Sequence, residues 1–211
     1  MTPDEKSNRS SQRLLIGVAL SVLVITLLAI GLISAGAFDP KPLGQLAYRV
    51  ELNRQVAVVD EFQEQLVQRP SSDEFSVRFS AALSSGNSDI GYGLKIGDTQ
   101  SSIIVGVSPL GYVTIMEHLA QHNAPELDGQ RFDETEHILP WQTWPHVAGG
   151  TASNEIWVDI MDSKLVSVRM NRELLWTGAL PLASTEIGFW AESYDAPAAI
   201  DLNYVELYIA P

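Results

Sequence analysis

Residues 75–79 read Phe75-Ser76-Val77-Arg78-Phe79, with large apolar side chains at every second position and polar ones between. Period two lets a chain bury one face and wet the other only when it is extended, because successive side chains then point to opposite sides. The alternation recurs in Tyr48, Val50 and Leu52 against Arg49, Glu51 and Asn53, and in Ile200, Leu202 and Tyr204 against Asp201, Asn203 and Val205. Further strands are predicted over 90–96, 102–107, 112–116, 155–161, 165–170, 173–176 and 187–192. Turn chemistry separates them: Ser85-Gly86-Asn87, Gly97-Asp98, Pro109-Leu110-Gly111, Asp162-Ser163 and Asn171-Arg172. Short alternating strands punctuated in this way predict an all-β, two-sheet antiparallel sandwich.

Upstream, the run from Leu14 to Ala35 carries no charge over 22 residues. As a helix it would reach about 33 Å, enough for a hydrocarbon core of roughly 30 Å. It is therefore expected to be a transmembrane helix. Lys6, Arg9 and Arg13 precede it and Lys41 is the nearest base after it, which places the N-terminus in the cytoplasm by the positive-inside rule. The expected organisation is a basic cytoplasmic tail over 1–13, the helix over 14–35, a proline-bearing linker over 36–47 and an extracytoplasmic sandwich over 48–211. Ala35-Gly36-Ala37 offers the rival reading of a cleaved signal peptide, against which the length of the apolar run argues. The expected location is the plasma membrane, single-pass, with membrane lipid as one partner.

Hydrophobic residues make up 45% and charged residues 18% of the 211, so the chain has the apolar surface to fold. The net charge of -13, with no basic stripe, excludes nucleic-acid binding, which draws its affinity from Lys and Arg on phosphates. With no cysteine there is neither a disulfide nor a thiolate metal site, a composition that leans bacterial.

The order of these segments resembles the concanavalin A-like jelly roll, near laminin-G-like and 3-keto-disaccharide hydrolase-like modules. The resemblance rests on Phe75 to Phe79, Gly91-Tyr92-Gly93-Leu94, Gly111 to Ile115, Trp141 and Trp144, Asn154 to Val158, Val168 to Asn171, Ile187-Gly188-Phe189 and Asp201 to Leu207. It covers about residues 48–210 and implies a jelly-roll sandwich. Such modules often place Asn-Gly after the strand ending at Met170. Here Asn171-Arg172 stands instead, so another turn or a longer loop is expected there.

No catalytic constellation stands out. Glu155, Asp159 and Asp162 come nearest to the carboxylate pair of a glycoside hydrolase. Asp60, Glu61 and Glu64 read as a polar outer face beside Phe62 and Leu66. The segment 117–153 lacks clean alternation and is expected to be a long excursion carrying the site. Within it Trp141 and Trp144 could stack on a sugar or fill a partner's pocket, and with His118, His122 and Tyr92 they form the expected ligand-binding set. His118 and His122, four apart, would suit a metal only on a helix. Asp133, Glu134 and Glu136 are the candidates for a structural calcium. The function expected is a non-catalytic, membrane-anchored binding module for a glycan or an envelope protein. The alternative is an accessory subunit whose helix packs through Gly17, Ala19, Ser21, Gly31, Ser34 and Ala35; a glycoside hydrolase is the third reading.

Overall fold

The computed structural model of the chain describes residues 18–31, 39–67, 70–98, 101–119, 134–162, 164–180, 182 and 184–211. The chain divides into two units, residues 1–41 and 42–211, each described by itself.

In the first unit the described helix, α1, covers residues 18–31 and exposes its side chains throughout. Among the described residues no helix is long and apolar enough to cross a membrane. The expected single-pass plasma-membrane placement is corrected on this finding. Residues 14–17 and 32–35 of the expected span, with Gly17, Ser34 and Ala35, lie outside the described residues, as does Ala35-Gly36-Ala37. Thr26 Oγ1 donates to the Val22 carbonyl at 2.9 Å, a hydroxyl returned to its own helix.

The second unit is an all-β sandwich of two six-stranded antiparallel sheets. Its strands are β1 (Gln45–Val58), β2 (Glu61–Val67), β3 (Phe75–Gly86), β4 (Ile90–Gly97), β5 (Ser101–Ser108), β6 (Tyr112–Leu119), β7 (Glu134–Thr143), β8 (Asn154–Met161), β9 (Leu165–Met170), β10 (Glu173–Ala179), β11 (Ile187–Ser193) and β12 (Ala198–Ile209). One sheet runs β1-β12-β3-β8-β9-β10 and the other β2-β11-β4-β5-β6-β7.

The alternation does what its period requires. Phe75, Val77 and Phe79 point between the sheets and are wholly buried, with Val158, Val168, Leu94, Val105 and Phe189 around them in one core. Each such side chain contributes about 1.5–3 kcal/mol through burial. Phe79 from one sheet meets Phe189 from the other at 5.8 Å between ring centroids, and Phe62 extends the contact at 6.0 Å.

Three departures from the expected pattern have local causes. A register shift between Leu202 and Tyr204 turns Val205 and Leu207 inward and Tyr204 outward, reversing the strict alternation. Residues 134–143, expected as excursion, form β7 despite Pro140. An edge strand tolerates a missing N–H, and β7 is the edge of its sheet. Met170 pairs directly with Glu173, so Asn171 and Arg172 alone form the turn, at φ 49° and 75°. That is the two-residue turn with both φ positive, in place of the expected alternative. Asn171 holds it: its N–H and side-chain oxygen close on the Glu155 backbone at 2.8 and 2.7 Å, and its Nδ2 donates to the His146 carbonyl at 2.6 Å.

Candidate functional site

The outer face of the sheet containing β4 and β5 carries glycine where a side chain would stand. A Cβ at Gly91 would lie 3.0 Å from both the Trp141 and Trp190 indoles, and one at Gly106 would lie 3.2 and 3.3 Å from the same rings. Gly91 and Gly106 thus form a floor on which two indoles rest. Ile104, Met116 and Trp190 make a buried cluster there, distinct from the inter-sheet core, with Trp141 packed against it.

Trp190 is only 2% exposed, whereas Trp141 is half-buried and lines a cleft of about 340 Å³ with Asp89, Ser108, Leu110, Tyr112 and Tyr194. The walls come from strand ends. Ser108-Pro109-Leu110-Gly111 turns β5 into β6 through a three-residue loop whose last residue, Gly111, has φ +89°, and the Gly111 N–H closes on the Ser108 carbonyl at 2.9 Å. This holds Leu110 and Tyr112 at the rim, 54% and 38% exposed. Opposite them the Tyr194 N–H donates to the Asp89 carbonyl at 3.2 Å, joining the two walls that precede β4 and follow β11. Burial first, then the charge of Glu192, push the Tyr194 phenol well above its ordinary range, with hydrogen bonds to Glu192 and Trp141. Tyr194 is thus a neutral hydroxyl at physiological pH. The cleft presents aromatic surface edged by a carboxylate and hydroxyls, with no Lys, Arg or His among the described residues that line it.

Of the expected ligand set, Trp141 is in this cleft. Trp144 faces the inter-sheet core, and its ring lies 5.9 Å from that of His146. Tyr92 is 1% exposed, its hydroxyl accepting from Asn154 Nδ2 at 3.3 Å; it is a core residue without surface for a ligand. His118 stands on β6, opposite Ser102 and Thr135, so the helix that a metal spacing with His122 needs is not formed there. His122 and Asp133 lie outside the described residues, Glu134 opens β7, and Glu136 is exposed on it. Among the described residues no group of three or more His, Asp or Glu is placed to hold a metal ion.

Of the carboxylates considered for catalysis, Glu155 and Asp159 sit on the outer face of the other sheet, and Asp162 lies in the turn after β8 at φ 52°. Glu155 Oε2 is 2.5 Å from Arg78 Nη2 and accepts from Tyr204. Asp159 Oδ1 accepts from Ser76 Oγ at 2.5 Å and from Trp157 Nε1 at 2.6 Å, and burial pushes its carboxyl above the ordinary value. Glu155 and Asp159 stand four positions apart on β8, about 13 Å along the strand, each carboxylate held by its own partners. Between them Trp157 lies under two guanidiniums from the neighbouring strands, Arg78 at 5.4 Å and Arg169 at 5.7 Å. The Asp60, Glu61 and Glu64 cluster is divided: Glu64 pairs with Arg54 across the sandwich edge at 2.7 Å, and Glu61 accepts from Gln63 at 2.5 Å.

Sequence reading missed Asp89, Ser108, Leu110, Tyr112 and Tyr194, which come from three separated segments. One signal was present: Gly91 and Gly106 occupy outward positions of alternating strands, where a missing side chain marks something lying across the sheet.

No protein-family model matches the chain, and no curated protein sequence matches it. Among solved structures it is similar to sheep galectin-11 in complex with glycerol, at 14% identity and TM-score 0.41, covering 71% of this chain and 97% of that one. It is similar to the Ruminococcus gnavus IT-sialidase CBM40 bound to α2,6 sialyllactose, at 14% identity and TM-score 0.44, covering 77% and 92%. It is also similar to the carbohydrate-binding module CBM66 from Bacillus subtilis, at 9% identity and TM-score 0.43, covering 79% and 91%. At these values the likeness carries no argument about a ligand.

Proposed function

We propose that residues 42–211 form a non-catalytic glycan-binding module of the concanavalin A-like, jelly-roll kind, and that the Trp141 cleft receives the sugar. The observation that carries this reading is the half-buried indole of Trp141, laid on glycine and opened toward a cleft rimmed by Tyr112 and Tyr194. The apolar C–H face of a pyranose stacks on such rings, while Asp89, Ser108 and the Tyr194 hydroxyl meet its hydroxyl groups. A binding role also fits the carboxylates outside the cleft, which are held by arginine, tyrosine, serine and tryptophan rather than facing a common point.

The test is a glycan array probed with the full chain, followed by calorimetry on the hits. Trp141→Ala is expected to weaken binding at least tenfold while leaving the circular dichroism spectrum unchanged. Folded wild-type protein that binds no glycan, or hits that Trp141→Ala leaves at full affinity, would overturn the reading.

A further inference from the structure

The cleft has a sign. Asp89 is exposed on its wall, with its backbone fixed at both ends: its N–H donates to Asn87 Oδ1 at 3.1 Å and its carbonyl accepts from Tyr194 at 3.2 Å. Glu192 stands behind Tyr194, bonded to the phenol. Among the described residues no basic side chain lines the cleft. The cation on the same face of β4, Lys95, is four residues from Gly91, about 13 Å along the strand. It is already committed, donating to Gln63 Oε1 at 2.5 Å with Glu61, Asp98 and Glu186 around it. The net charge of -13 adds a field of the same sign.

We propose that the cleft is charge-selective: it prefers sugars bearing a protonated amine, whose ammonium pairs with Asp89, over uncharged sugars, and it disfavours those carrying carboxylate, sulfate or phosphate. This rests on the glycan-binding reading above and adds the class of sugar. A unit charge about 6 Å from Asp89 in a water-like medium changes affinity by about threefold, gained by an ammonium and lost by a carboxylate. The amine and carboxylate forms of one sugar should therefore differ by about tenfold at low salt, and by less when the Debye length shrinks.

The experiment is calorimetry on the full chain with methyl glycosides of the gluco, galacto and manno series, each as the neutral, 2-amino and 6-carboxylate form, in 20 and 300 mM NaCl. The expected order is amine, neutral, carboxylate, with the spread narrowing at high salt. Whatever Asp89→Asn does to affinity for the neutral form, it should bring the amine-to-carboxylate ratio to within about twofold. Carboxylates bound as tightly as neutral forms, or a ratio that ignores both salt and Asp89→Asn, overturns the charge selection while sparing the glycan reading. Folded protein that binds no form overturns both.

Discussion

Arg78 holds two carboxylates at once, the buried Glu206 and the half-buried Glu155, and replacing it tests whether the polar face of the sandwich is under electrostatic tension. Its side chain is 17% exposed, and its two terminal nitrogens reach Glu155 at 2.5 Å and Glu206 at 3.1 Å, whose side chains are 13% and 5% exposed. Burial alone would lower the guanidinium, yet the hydrogen bond and charge of Glu155 hold it above its ordinary value. Arg78→Met keeps an unbranched apolar stem and deletes the charge, together with the guanidinium that lies over Trp157. Glu206 retains the Tyr208 hydroxyl and Arg49, which is 47% exposed and a weaker partner, while among the described residues Glu155 retains the Tyr204 hydroxyl alone. Breaking such a buried pair from one side costs about 3–5 kcal/mol. For a domain of this size that is a fall in Tm of roughly 6–20 °C. Calorimetry and urea unfolding at pH 7 would measure it, and Arg78→Met with Glu155→Gln should recover at least half the loss by removing the stranded charge. A single variant within 1 kcal/mol of wild type, or a double variant no better than the single, would refute the reasoning.

Three further predictions use other parts of the structure. Asp159 is raised by burial, against hydrogen bonds from Ser76 and Trp157, so its contribution to stability is complete below the ordinary carboxylate value near 4 and is lost as pH rises through its folded pKa. Asp159→Asn should therefore gain on wild type as pH rises from 4 to 7 in denaturant titrations; a pH-independent difference would contradict the assignment. Arg172 sits at φ 75° with no glycine's freedom, so Arg172→Gly should stabilise by about 0.5–1 kcal/mol, read as a rise in Tm, and a loss would mean that its side chain matters more than its backbone. Trp190→Ala should cost about 3–5 kcal/mol in urea unfolding because the indole is buried on the outer face; a cost under 1 kcal/mol would show that the cluster with Ile104 and Met116 is dispensable.

The sandwich was legible because alternation is a local signal. Phe75, Val77 and Phe79, or Ile156, Val158 and Ile160, declare a buried face within five residues, and that face is where the structure has it. Glu155, Trp157 and Asp159 likewise share the opposite face, as the period requires. What escaped notice was whatever broke the period. Pro140 disguised β7, and the shift after Leu202 sent Tyr204 outward to Glu155, a bond that no spacing announces. Residues 61–67 read as an acidic face and became β2, because Phe62 and Leu66 reach inward while their polar neighbours line an edge.

By itself, then, the sequence determined the fold class, most strand positions, the acidic character of the chain and the presence of an aromatic pair near residue 141. Strand formation and charge depend on neighbours along the chain, so they survive without knowledge of the rest. Only the tertiary structure decided that Trp141 opens on a cleft while Trp144 and Tyr92 turn to the core, that Asp89, Tyr112 and Tyr194 surround it, and that Arg78 binds two carboxylates. Those facts depend on sheet order and register, which bring residues 89, 112, 141 and 194 together, and no local pattern encodes which strand lies next to which.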